Sequence, residues 1–127
     1  MEKLLKNKIT IPLEITKDMF ENIIVTSLEG GSNYWYMIHS ISHDTDRHLP
    51  LSSQIAEGLY DDDTFEVIFH DCETDEYLGT LTQQSLVKGI QKAFKNGQLM
   101  PNDLEEMDAN IADVFLQYAV MGEIIYG

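Results

Sequence analysis

The sequence predicts an α+β fold: a small sheet of about four strands, including a hairpin over 63–81, with three to four helices packed on it. Three observations predict it. Phe65, Val67 and Phe69 alternate with Glu66, Ile68 and His70, a polar turn spans Asp71 to Glu76, and Tyr77 to Leu81 returns as a second strand. Apolar residues recur at helical spacing in two segments: Met19, Phe20, Ile23, Ile24 and Leu28, then Leu86, Ile90, Ala93 and Phe94. Good capping residues, Thr16 and Thr82, open those segments, and Asp108 opens a third.

The elements follow in order. Ile9, Ile11 and Leu13 alternate with Thr10, Pro12 and Glu14, which predicts a half-buried strand. Pro12 has no N–H to give a ladder, so that strand lies at an edge or carries a bulge. The helix begun at Thr16 ends at Gly30 or Gly31, either of which can adopt the left-handed conformation that closes a helix. Residues 33–41 are aromatic and β-branched and predict a strand. Alternation puts Tyr34, Tyr36 and Ile38 on one face, and Trp35, Met37, His39 and Ile41 on the other. A polar loop over 42–50 ends at Pro50, and Ser52 or Ser53 caps a short helix presenting Ile55, Ala56 and Leu59.

After the hairpin, the helix capped by Thr82 stops at Asn96-Gly97. The last helix carries Ile111, Ala112, Val114, Phe115, Tyr118, Ala119 and Met121, which leaves a narrow polar edge of Asn110, Asp113 and Gln117. A helix apolar over most of its circumference is central or lies at a subunit interface, so a homodimer is expected. Gly122 closes this helix, and Glu123 to Gly127 form a short apolar tail. The predicted order is β-α-β-α-β-β-α-α.

The 127 residues suit a single domain over 1–127, and 43% hydrophobic residues are enough for a core. One cysteine, Cys72, excludes an internal disulfide. Lys3, Lys6 and Lys8 lead into no long apolar run, and no apolar stretch approaches membrane-span length, so a cytoplasmic protein is expected.

The net charge is −14, from 22 acidic and 8 basic residues. Eleven of the carboxylates fall in 42–78, where Arg47 is the only strong base. Such a surface repels duplex DNA and anionic membranes and attracts a basic protein partner. Asp61, Asp62, Asp63, Glu66, Asp71, Glu73, Asp75 and Glu76 are the candidate interaction surface. Lys88, Lys92 and Lys95 share one helix edge and form no basic stripe.

No catalytic constellation and no cofactor motif is present, and a non-enzymatic protein is expected. His39 and His43 are four apart, but they run from a strand into a loop, where that spacing does not align two rings, so no metal is expected. Asp71-x-Glu73-x-Asp75 opens like a calcium loop, yet its sixth position is Glu76 rather than glycine and its twelfth is Thr82 rather than glutamate. Gly30-Gly31 follows a helix instead of a strand, and the negative end of that helix disfavours phosphate. The acidic residues around Cys72 argue against a cysteine nucleophile. The alternative function is a small-ligand pocket built from Gly30, Gly31, Asn33, Tyr34 and Trp35 against Gln117, Tyr118 and Glu123, with the rings as stacking faces.

The segments Leu28-Glu29-Gly30-Gly31 with Asn33-Tyr34-Trp35, and Gln117-Tyr118-Ala119 with Gly122-Glu123-Ile124, form the motifs LEGGxNYW and QYAxxGExxxG. Ser53, Ile55, Thr64 to Asp71, Leu81-Thr82, Lys88-Gly89-Ile90, Asp108 and Ala112-Asp113 lie between them. In these residues, from about position 8 to 127, the chain resembles the small acidic open reading frames of bacteriophages and integrated elements in Gram-positive and gut bacteria. The resemblance implies a phage or mobile-element accessory protein in a bacterial host, with no catalytic residues to carry over. The histidine-containing loop 42–50 departs from the pattern of that family.

Overall fold

The computed structural model describes residues 13–30, 34–44 and 46–127. Within them the order is α1 (Lys17–Glu29), β1 (Tyr36–Ile41), α2 (Leu51–Asp61), β2 (Val67–Asp71), β3 (Tyr77–Leu81), α3 (Gln83–Lys95), a short 3-10 turn (Pro101–Leu104) and α4 (Ala109–Met121). The α+β class and the four helices match the sequence reading. The sheet has three antiparallel strands among the described residues, in the order β1-β2-β3, rather than about four. The strand expected over 9–14 lies outside the described residues except for Leu13 and Glu14, which are exposed and outside any strand.

Local chemistry explains the helix boundaries. The Thr16 hydroxyl accepts from the Met19 N–H at 3.2 Å. Thr82 accepts from the Ser85 N–H while Ser85 accepts from the Thr82 N–H, a reciprocal cap with serine in the role usually taken by Glu or Gln. Asp108 accepts from the Ile111 N–H at 2.8 Å. Gly122 closes α4 with φ 77°, a conformation that favours glycine. The corresponding expectation for Gly30 fails: it ends α1 at φ −85°, ψ 8°, in a region open to any residue. Gly31 lies outside the described residues.

The helices cover one face of the sheet. Val67, Phe69 and Leu81 point into the core, fully buried, and share one cluster with Ile55 and Leu59 of α2, Phe65 of the segment after α2, and Phe115 and Leu116 of α4. Among the described residues no helix covers the opposite face, where Met37, His70 and Tyr77 are adjacent across the three strands. Two register irregularities interrupt the ladder, leaving His39 as the extra residue in β1 and Leu78 as the extra residue in β3.

The simple alternation expected for 33–41 does not hold, because the strand begins only at Tyr36 and a bulge follows at His39. Trp35 and Tyr36 are consecutive yet both buried, because Trp35 sits in the turn before the strand and is not bound by the strand's two-residue period. Tyr34 and Met37 are exposed.

α4 packs against α3, α1 and β3, so it is central. Its apolar circumference, the basis for expecting a dimer, is mostly covered within the chain, and Ile111, Val114 and Met121 remain half-buried. The expected polar edge of α4 is also different: Gln117 is only 1% exposed.

Candidate functional site

Asp113 and Gln117 are four residues apart on α4 and therefore share a face. That face meets the turn leading into β1. The Trp35 indole N–H donates to Asp113 Oδ1 at 2.8 Å, and the Tyr34 hydroxyl donates to Asp113 Oδ2 at 2.9 Å. Gln117 Nε2 donates to the same Oδ2 at 3.2 Å and to the Tyr126 carbonyl at 2.9 Å. Gln117 Oε1 accepts from the Ile125 and Tyr126 N–H groups at 2.8 and 2.9 Å. Every polar atom of this buried amide has a partner, so its burial is compensated.

The tail beyond α4 is thereby drawn across the aromatic cluster. The Tyr126 ring stacks on Trp35 with centroids 5.4 Å apart and planes at 11°. Its hydroxyl donates to Asp71 Oδ2 at 3.0 Å, tying the tail to the hairpin turn. Tyr36 packs edge-on against Trp35 with centroids 4.9 Å apart, and Phe69 stacks on it more distantly at 6.5 Å. Trp35 is 2% exposed. The stacking face offered to a ligand by the sequence is occupied by the protein's own Tyr126.

The expected pocket residues therefore meet only in part. Tyr34, Trp35 and Gln117 converge, through Asp113. Tyr118 points away toward α3, where its hydroxyl accepts from Asn96 Nδ2 at 3.1 Å. Glu123 is exposed past the cap of α4. Gly30 ends α1 against the Thr26 carbonyl, and Gly31 and Asn33 lie outside the described residues. A small cleft of about 180 Å³ lies elsewhere, between α1 and α2, lined by Phe20, Leu49, Ala56 and Tyr60. Larger clefts of about 410 and 480 Å³ lie at the start of α3, the first lined by Phe20, Tyr60 and Leu86 and the second by Asp63, Gln84 and Val87, and neither includes a residue of the Trp35 cluster. Tyr126 was missed by sequence reasoning, since a lone tyrosine in a short tail carries no periodicity.

Electrostatics follow from this packing. Burial, then the negative charge of Asp113, pushes the Tyr36 hydroxyl up to about 12 from its ordinary 10.0. Tyr34 and Tyr126 are raised in the same direction, first by partial burial and then by their hydrogen bonds to Asp113 and Asp71. A hydroxyl whose folded value is raised stabilises the fold fully below its unfolded value and loses that contribution as pH rises through the folded one. Stability is therefore expected to fall between pH 10.0 and about 12. Tyr36→Phe should flatten that fall in thermal unfolding measured against pH; an identical alkaline profile in the two proteins would contradict it.

The eight candidate interaction carboxylates fall into two groups. Asp61, Asp62, Asp63 and Glu66 precede β2, while Asp71 ends it and Glu73, Asp75 and Glu76 lie in the hairpin turn that follows. Five strand residues at about 3.3 Å each separate the groups by about 16 Å, more than the ~8 Å screening length at physiological salt. Two members have internal tasks. Asp62 Oδ1 accepts from the Thr64 N–H and hydroxyl, which hold its carboxyl below the ordinary value of 3.8. Asp71 is lowered likewise by the Thr74 and Glu73 N–H groups and then by Tyr126. The calcium-like spacing of 71–75 is thus a hairpin turn closed by Asp71 itself.

His39 and His43 have separate partners. His43 lies 3.8 Å from Asp62, whereas His39 stacks on His70 across β1 and β2, with centroids 3.9 Å apart and planes at 2°. No family model, curated protein or solved structure matches this chain. Among the described residues no helix is long and apolar enough to cross a membrane.

Proposed function

We propose that this chain is a non-enzymatic accessory protein of a phage or mobile element that binds a basic protein through its outward carboxylates. A protein that grips nucleic-acid phosphates is the kind of partner this surface suits. One observation carries the reading. Among the described residues, ion pairs join only His43 with Asp62, Arg47 with Asp44 and His70 with Asp75, which leaves Asp61, Asp63, Glu66, Glu73 and Glu76 exposed and without a basic partner. Exposed like charges held at both ends of a rigid sheet raise the encounter rate with a cationic surface and repel duplex DNA. The ligand-pocket alternative has less support, because Tyr126 fills the stacking face of Trp35.

The test uses a purified basic DNA-binding protein as probe. Wild type is expected to bind it with an affinity that falls as salt rises. The quadruple variant Asp61→Asn, Asp63→Asn, Glu73→Gln, Glu76→Gln should bind at least about tenfold more weakly, since each lost rim charge removes a few tenths of a kcal/mol to about 1 kcal/mol. Salt-independent binding, or equal binding by the variant, removes the proposal. The chain itself should give no mobility shift with duplex DNA at low salt. A homodimer built on α4 would use its half-buried edge of Ile111, Val114 and Met121, and light scattering decides between one chain and two.

A further inference from the structure

We propose that His39, His70 and Asp75 bind a single divalent transition-metal ion, with zinc the best-fitting occupant. The three come from separate places in the chain, and the fold brings them together on the face of the sheet opposite the helices. The β1 bulge supplies His39 as its extra residue, beside His70 on β2. Asp75 enters from the hairpin turn with φ 61°, a left-handed conformation that aspartate tolerates better than most residues. One donor atom from each lies within 4.8 Å of the other two.

The geometry is close to a ligand set. His70 Nδ1 and Asp75 Oδ1 are 3.0 Å apart. Zinc bonds of about 2.0–2.1 Å in a tetrahedron put neighbouring donors about 3.3 Å apart, so an ion replaces the shared proton with little movement. His39 has further to travel. It is exposed, and rotation about its side-chain torsions exchanges the ring stack for a metal bond. Water takes the fourth position.

The donor set selects the ion class. Two imidazoles and one carboxylate suit zinc and its first-row neighbours, while calcium and magnesium require oxygen donors. A chain with net charge −14 favours any cation electrostatically, so affinity alone does not establish the site. Identity of the ligands does. The bound ion would tie β1 to the turn between β2 and β3, which stiffens this face of the sheet.

Zinc titrated calorimetrically into the full chain at neutral pH is expected to bind one ion per chain. His39→Ala and Asp75→Asn, both at exposed positions, should each weaken binding by about tenfold or more, and His70→Ala likewise. His43→Ala should leave it unchanged, and excess calcium should not compete. Cobalt in place of zinc should give d–d absorption that disappears in His39→Ala. Three results overturn the proposal: no saturable binding, equal affinity in wild type and His39→Ala, or displacement by calcium. The last two would mean that zinc is held diffusely by carboxylates.

Discussion

Trp35→Ala is expected to destabilise the protein by about 3–5 kcal/mol, the range for removing a large buried aromatic. The indole is 2% exposed and fills the space between Tyr36, Phe69 and Tyr126. Truncation leaves a cavity too rigidly walled to collapse, because sheet, α4 and tail all meet there. It also removes the N–H that satisfies Asp113 Oδ1. A loss of this size is a large share of the about 5–15 kcal/mol that holds an ordinary domain together. Trp35→Phe separates the two effects, since it keeps most of the packing and loses the hydrogen bond. Its cost should approach about 1.5–3 kcal/mol, the value of a hydrogen bond to a charged group, and stay below that of alanine. Denaturant unfolding followed by circular dichroism measures both, because the substitutions remove the only tryptophan. Superimposable curves for wild type and Trp35→Ala would contradict the structural role.

Gly89→Val is expected to cost at least the upper end of the roughly 1–3 kcal/mol typical of overpacking. A Cβ at Gly89 would lie 2.6 Å from the Tyr118 carbonyl oxygen and 2.7 Å from the Ala119 N and Cα. These are backbone atoms of α4, and they cannot swing aside as a side chain can. α3 and α4 would have to separate along their length. Gly89→Ala gives the sharper sign. In a free helix alanine is favoured over glycine by about 0.8–1.0 kcal/mol. Here that gain is expected to be outweighed by the crowding, so the alanine variant should also unfold at lower guanidinium concentration. An alanine variant at least as stable as wild type would show that the two helices are not in such close contact.

What the sequence disclosed depended on the range of the interactions. Local signals located α1, α3 and α4: Thr16, Thr82 and Asp108 cap them, and Gly97 and Gly122 end α3 and α4 with positive φ. The hairpin was also legible, since its alternation and polar turn are contiguous. Non-local placement was not. Alternation failed at Trp35 and Tyr36 because the strand begins at Tyr36, three residues later than expected, and it failed again beyond Ile38 because of the bulge at His39. Asp113 and Gln117 stood out as polar residues on an apolar helix, but the partners of Asp113 lie far away in sequence, at Tyr34 and Trp35, and those of Gln117 lie in a short tail without periodicity, at Ile125 and Tyr126. His39 was weighed against His43, its sequence neighbour, whereas the register of β1 on β2 sets it beside His70.

The two functional readings differ most over whether Trp35 is sealed by the tail or open to a ligand. As the only tryptophan, it reports on its own surroundings through fluorescence. If Tyr126 covers it as described, emission is blue-shifted, and iodide and acrylamide quench it weakly until the protein unfolds. Tyr126→Ala should then raise the quenching while the fold persists. Quenching of the native wild-type protein at the level seen in denaturant, with red-shifted emission, would mean an open indole face. That result would contradict the sealed cluster and put the ligand pocket first.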